Sequence, residues 1–132
     1  MSEQYIYLTS TKYIADAQIT SIHKIFVSKS KIIPMADGQV NGYVNNQFSL
    51  DEYNGTLRIA TTETGITGVP TNNVFCLDKY LNVIGSLGNI ALNETIFSAR
   101  YVDKRLYLVT FRRIDPFFVI DLSDHTHPSI LG

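Results

Sequence analysis

The chain has 132 residues and a mass of 14.8 kDa, the size of a single domain. Lys plus Arg number 11 and Asp plus Glu 12, a formal charge of −1 that excludes a basic nucleic-acid surface and a polybasic membrane patch. It is 45% hydrophobic and 17% charged, too apolar for a disordered segment, and its 36 Ile, Val and Thr residues with 8 Tyr and 7 Phe predict an all-β protein.

The N-terminus, Met1-Ser2-Glu3-Gln4-Tyr5, has no basic region followed by an apolar one, so no secretory signal is expected. No apolar run nears the roughly 20 residues that span a bilayer, so no membrane insertion is expected. Strand patterns follow at Tyr5 to Thr9, Ile22 to Val27 and Lys31 to Ile33. The next group comprises Phe48 to Tyr53, Thr56 to Thr61, Val74 to Asp78 and Asn82 to Ile84. The last comprises Phe97 to Val102, Arg105 to Thr110, Phe117 to Asp121 and Ser129 to Leu131. Ala15 to Gln18 and Asn89 to Asn93 read as single helical turns at most. Cys76 lies in the apolar run Val74-Phe-Cys-Leu77 and is expected to be a buried small hydrophobe.

These groups are copies of one unit. Phe48-Ser-Leu-Asp-Glu-Tyr-Asn-Gly-Thr-Leu-Arg-Ile-Ala-Thr61 aligns without a gap on Phe97-Ser-Ala-Arg-Tyr-Val-Asp-Lys-Arg-Leu-Tyr-Leu-Val-Thr110, at an offset of 49. Asn54-Gly55 between two strand patterns predicts a type I′ hairpin turn, because both central residues need positive φ. Asp103-Lys104 holds the same place in the later copy. Tyr5-Ile-Tyr-Leu-Thr9 matches Leu57 to Thr61, which puts Ser2-Glu3 on the turn and leaves that copy one strand short. Four strands per repeat of roughly 40 to 50 residues define a β-propeller blade, and nearly continuous apolar strands fit blades covered on both faces. The predicted architecture is a partial β-propeller: one domain over 1–132, with blade-like units at 2–44, 45–90 and 93–132 and the first strand of the first blade missing. A two-sheet sandwich, which would alternate more cleanly, ranks second. Propellers close with four to eight blades, so the chain is expected either to be a piece of a larger ring or to associate with itself, two copies supplying about six blades.

Asn46-Gln-Phe-Ser-Leu-Asp-Glu-Tyr53, Gly55-Thr-Leu-Arg-Ile-Ala-Thr-Thr62, Leu108-Val-Thr-Phe-Arg112 and Asp115-Pro-Phe-Phe-Val-Ile-Asp-Leu-Ser123 resemble the secreted-type β-propeller family distantly related to WD40 repeats, found in archaea and bacteria. Thr20-Ser-Ile-His-Lys-Ile25 and Gly38-Gln-Val-Asn-Gly42 fit the same pattern. The resemblance implies the propeller fold and an extracytoplasmic setting. It carries no activity, cofactor or catalytic residue.

Candidate sites are few. Asp51 and Glu52 are the acidic pair nearest a propeller axis; with Asp103 and Asp115 they are the carboxylates a glycan-hydrolysing propeller would use. Adjacent strand residues point to opposite faces, so Asp51-Glu52 is not a preformed dyad, and an Asp51–Arg100 salt bridge between blades is the expected structural role. Asp124, His125 and His127 are the metal-like cluster, two imidazoles on one face of an extended segment plus a carboxylate, in a stretch whose Asp, Thr and Pro also read as turn formers. His23 in an apolar strand reads as a hydrogen-bonded structural residue, and Arg112-Arg113 as surface or inter-strand cations. Asn54-Gly-Thr56 and Asn93-Glu-Thr95 match the glycan-acceptor pattern. The long loop from Thr62 to Asn73 is where a binding site would sit. The function read from these residues is a non-catalytic binding or interaction module without cofactor or resident metal. Its partner is a second copy or another protein rather than a nucleic acid; the alternative is the propeller-type hydrolase. The compartment is left open by this chain.

Overall fold

The computed structural model describes residues 4–14, 17–44, 49–64, 68–91, 94–110 and 118–131. Eleven strands run in chain order: β1 (Gln4–Ile14), β2 (Ala17–Val27), β3 (Ile32–Asn41), β4 (Leu50–Tyr53), β5 (Thr56–Glu63), β6 (Thr71–Leu77), β7 (Val83–Ile90), β8 (Ile96–Val102), β9 (Arg105–Thr110), β10 (Phe118–Asp121) and β11 (Ser129–Ile130). They form three antiparallel sheets, ordered β1-β2-β3, β4-β5-β6-β7 and β8-β9-β10-β11, each a simple up-and-down meander. The fold is all-β, a partial propeller of three, four and four strands, with no helix among the described residues.

Two expectations are corrected here. Ala17 and Gln18 lie in β2, and Asn89 and Ile90 in β7, not in helical turns; residues 15, 16, 92 and 93 fall outside the described set. The strands also run further than their apolar runs suggest, β1 to Ile14, β3 to Asn41 and β5 to Glu63. In β5 the extension is buried, and Thr62 donates its hydroxyl to the Asn72 side-chain oxygen at 2.8 Å. Of the expected loop from Thr62 to Asn73, Thr62 and Glu63 lie in β5 and Thr71 to Asn73 in β6, and residues 65–67 fall outside the described set.

The hairpin turn forms as its chemistry dictates. Asn54 has φ 51° and Gly55 φ 82°, so Tyr53 pairs with Thr56, Glu52 with Leu57 and Asp51 with Arg58. Asp103, at the equivalent turn, has φ 51°.

Alternation along each central strand sends side chains to two neighbours. Leu57, Ile59 and Leu77 of the second blade form one core with Ile22 and Val40 of the first. Ala60, Val74 and Cys76 of the second form another with Leu106, Leu108 and Ile120 of the third. Strand β5, buried at six consecutive positions, is covered on both faces. Two glycines let the blades approach. A Cβ on Gly38 of β3 would lie 2.6 Å from the carbonyl oxygen of Leu81, in the turn before β7. A Cβ on Gly85 of β7 would lie 2.8 Å from the backbone of Thr126 and nearer still to the His125 carbonyl, in the turn before β11. The last turns of the second and third blades therefore each seat on a glycine in the outer strand of the blade before.

The first blade departs from the repeat alignment by one residue. Leu57 faces Leu77 across β5 and β6, and Leu106 faces Ile120 across β9 and β10. At the matching place in the first blade Gln4, not Tyr5, faces Val27. A one-residue slip exchanges every side chain between faces. Tyr7 is thereby turned toward the second blade, and Ile6 and Leu8 toward the side with no neighbour. Ile6 is 37% exposed and Leu8 51%, whereas Ile59 and Leu108, the repeat equivalents of Ile6, are both 0% exposed.

Candidate functional site

Among the described residues the buried charged side chain with no exposure at all is Arg58, in β5 and 0% exposed. The two-residue turn places Asp51 directly across from it, and alternation aims both toward the third blade. One terminal nitrogen of Arg58 donates to the Asp51 carboxylate and the other to the backbone carbonyl of Asp103. The guanidinium carbon lies 5.1 Å from the ring centres of both Tyr53 and Tyr101, so it is held between an aromatic ring from each blade. Tyr101 donates its hydroxyl to the Ser49 carbonyl at 2.8 Å, and burial raises its ionisation above the ordinary tyrosine range. The Nε of Arg58 has no hydrogen-bond partner. With its charge neutralised and its ends committed to two blades, Arg58 acts as a pin.

His125 reaches the edge of this cluster. Its ring meets Tyr53 edge-on at 6.5 Å between centres. Burial lowers its pKa, the Arg58 charge lowers it further, and Asp124 opposes both. Cys76 is fully buried; its thiol is pushed up to about 11 by burial, against the pull of Arg58, which leaves it a neutral hydrophobe at neutral pH.

Of the carboxylates singled out in the sequence, the three that are described, Asp51, Glu52 and Asp103, do not converge. Asp51 faces the third blade and is bound to Arg58, not to Arg100; Arg100 is exposed. The pairing follows from hairpin geometry, in which the cross-strand neighbour is closer than the equivalent residue of the next blade. Glu52 faces the first blade and accepts the Tyr7 hydroxyl; burial, and then this bond, raise the Tyr7 pKa. Asp103 sits in an exposed turn, where its backbone carbonyl rather than its carboxylate binds Arg58. Asp115, with Arg112 and Arg113, lies outside the described residues.

The His-x-His stretch is a turn, not an extended segment. Asp124 accepts from the Thr126 backbone N–H at 3.0 Å and lies 3.3 Å from His127 Nδ1, while His125 turns to Tyr53 and its Nε2 is left without a partner. Turn geometry thus sends the two imidazoles to different surroundings. Among the described residues no three His, Cys, Asp or Glu side chains are placed to hold a metal ion. His23 pairs with Asp37 at 2.6 Å on the exposed face of the first blade. Asn54 is exposed at its turn; Asn93 lies outside the described residues.

Shallow cavities among the described residues open to solvent. One of about 500 Å³ is lined by Tyr53, Val102, Asp103, Lys104, Arg105 and Tyr107. The other, about 330 Å³, lies on the open face of the first blade around His23, Asp37 and Gly38.

Blades meeting through glycine-seated turns, with a buried cation pinned between two of them, define a propeller repeat array. The chain belongs to the Beta propeller domain family, which matches residues 1–132. It is similar to an uncharacterized protein of Methanocaldococcus jannaschii, 38% identical over 117 residues that cover 87% of this chain and 18% of that protein. It is also similar to an uncharacterized protein of Archaeoglobus fulgidus, 41% identical over 113 residues covering 84% of this chain and 18% of that one. The chain thus spans about a fifth of the length of these relatives. No solved structure matches it significantly.

Proposed function

We propose that this chain is a non-catalytic propeller repeat module that works as a binding scaffold, its ring completed by further blades of a longer chain or by a second copy. The observation that carries this reading is the use of the polar side chains. Asp51 is consumed by Arg58 within the second blade and Glu52 by Tyr7 of the first, while the far face of the first blade exposes Ile6, Leu8 and Ile32 beside the His23–Asp37 pair. Exposed apolar side chains rimmed by polar ones mark an interaction surface. The resemblance to secreted-type, WD40-related propellers brings an extracytoplasmic setting into the same reading. Fold alone assigns no ligand, so the binding partner is a macromolecule met through blade faces and turns rather than a metabolite.

The test is incubation with a panel of chromogenic glycosides and soluble polysaccharides, using the chain, Asp51→Asn and Glu52→Gln. The expected result is no turnover above the blank for all three. Turnover by the chain that both variants lose would overturn the scaffold reading in favour of a hydrolase.

A further inference from the structure

We propose that the notch between the first and second blades, at the end that carries the β2–β3 and β6–β7 turns, docks an acidic segment of a partner protein. An apolar side chain of that segment sits on Tyr5, Phe26 and Ile33, and a side-chain carboxylate beside it meets Lys24. The proposal rests on the scaffold reading above and names the surface and the chemistry of its partner.

The two blades end at different heights. The turn before β7 meets the first blade at Gly38, six residues in from Ile32, where β3 begins. The turn before β11 meets the second blade at Gly85, two residues in from Val83, where β7 begins. The first blade therefore overhangs its neighbour's turn by four residues more, about 13 Å of strand. Cross-strand partners share a face, so the side of the first blade that looks at the second is built of three rows. Thr9, Ile22 and Gly38 form the innermost, Tyr7, Lys24 and Ala36 the next, and Tyr5, Phe26 and Ile33 the outermost. Leu81 closes over the innermost row, where Ile22 is 0% exposed. The outermost row stands clear of the turn, and Tyr5 is 44% and Ile33 40% exposed. The second blade already occupies the place beside this side of the first, so a further blade has no room to cover it.

Lys24 points to the ligand. It is only 6% exposed, and its ammonium lies 4.4 Å from the centre of the Tyr5 ring and 6.0 Å from that of Tyr7. Of its three N–H groups, one donates, to the Lys79 carbonyl at 3.3 Å. No carboxylate among the described residues is paired with it. Asp78, in the same turn as Lys79, accepts from the backbone N–H groups of Tyr80 and Asn82, and Glu52 accepts from the Tyr7 hydroxyl. Arg58, the other cation buried between blades, has Asp51. A buried cation short of a counter-charge gains from an incoming carboxylate what Arg58 already has. Lys29, Lys31 and Lys79, exposed in the two turns that flank the notch, draw the same charge.

The rings select a side chain over a sugar. Tyr5 and Phe26 meet edge-on, at 61° and 5.6 Å between centres, and Lys24 occupies one face of Tyr5. Such a corner is no flat stacking platform; with Ile33 it fits a branched or aromatic side chain.

The experiment is a heteronuclear NMR titration of the full chain with an acetylated and amidated peptide, Gly-Glu-Leu-Glu-Gly, and with its Gly-Gln-Leu-Gln-Gly counterpart. The expected result is saturable shifts confined to the amides of Tyr5, Phe26, Ile33 and Tyr80 and their neighbours, with the glutamine peptide at least about tenfold weaker. Lys24→Met, which keeps the buried stem, should weaken the acidic peptide by the same factor, and Lys12→Met, toward the far end of β1, should leave it unchanged. Ile33→Ser, at an exposed position, should also weaken it and keeps the test valid if Lys24→Met does not fold. Equal binding of both peptides, or binding that survives Lys24→Met, would overturn the carboxylate site. Shifts of these residues with an oligogalacturonate and none with the peptide would overturn the protein partner in favour of an acidic glycan. No shift with either probe at millimolar concentration would overturn the notch and leave the scaffold reading standing, since that reading falls to glycoside turnover.

Discussion

Replacing Arg58 by Met tests whether the second and third blades are pinned by a buried cation. The substitution keeps the length of the side chain and removes the charge. Breaking a buried ion pair from one side costs about 3–5 kcal/mol, and the Asp51 side chain, 37% exposed, regains some water, which favours the lower end. Loss of two ring–cation contacts adds about 1 kcal/mol each. Removing the unpartnered Nε returns about 1–2 kcal/mol. The expected net loss is about 3 kcal/mol for Arg58→Met, and about 1–2 kcal/mol more for Arg58→Ala, which also leaves a cavity. Urea unfolding followed by tyrosine fluorescence measures it, since the chain has 8 Tyr and no Trp. Adding Asp51→Asn to Arg58→Met should cost less than the two single changes summed, by about 1–2 kcal/mol. A loss under about 1 kcal/mol for Arg58→Met, with an unchanged slope in urea, would refute the pin.

Gly85→Ala and Gly38→Ala should each cost about 1–3 kcal/mol in the same assay, because the new methyl overlaps a neighbouring blade's turn; a neutral result at both would mean that the turns do not seat there. Acid should destabilise the fold in two stages. The folded-state pKa of His125 is depressed by burial, so the unfolded chain takes up protons first and stability falls as pH drops below about 6.5; His125→Gln should remove that stage. Asp78 and Asp121 are held below the ordinary carboxylate range chiefly by backbone N–H donors, and Asp124 chiefly by the Thr126 hydroxyl. Their contribution is present above about pH 4 and is lost as pH falls further; unfolding free energy measured from pH 8 to pH 3 should show both steps. Cys76 should resist a thiol reagent at neutral pH in buffer and react at once in denaturant, whereas rapid labelling of the native protein would contradict its burial.

Most of the fold is legible in the sequence, because strand patterns punctuated by turn chemistry recur from copy to copy. Asn54-Gly55 fixes its hairpin from two residues alone. The Arg58 pin is half legible. A lone cation inside Thr56-Leu-Arg-Ile-Ala60 signals a buried charge in need of a partner, and counting outward from the turn leads to Asp51. Comparing repeats leads instead to Arg100, because equivalence between copies is a weaker constraint than pairing within one. The slip in the first blade is not legible. Gln4-Tyr-Ile-Tyr-Leu8 and Tyr5-Ile-Tyr-Leu-Thr9 both alternate β-branched, aromatic and apolar residues, and aligning Thr9 with Thr61 favours the second reading. Pairing of Gln4 with Val27, and of the Tyr7 hydroxyl with Glu52, decides for the first. The Asp124 to His127 segment misleads for a related reason. Spacing in sequence equals spacing on a face only in an extended strand, and Asp124 folds the segment into a turn.

The register of the first blade determines which of its side chains the second blade covers. Cross-strand contacts between β1 and β2, measured by nuclear Overhauser effects on isotope-labelled protein, test it most directly. Gln4 should be found opposite Val27, Ile6 opposite Ile25 and Leu8 opposite His23, with the Tyr7 ring near Glu52. Contacts of Tyr5 with Val27 and of Tyr7 with Ile25 would contradict it, returning Ile6 and Leu8 to the covered side.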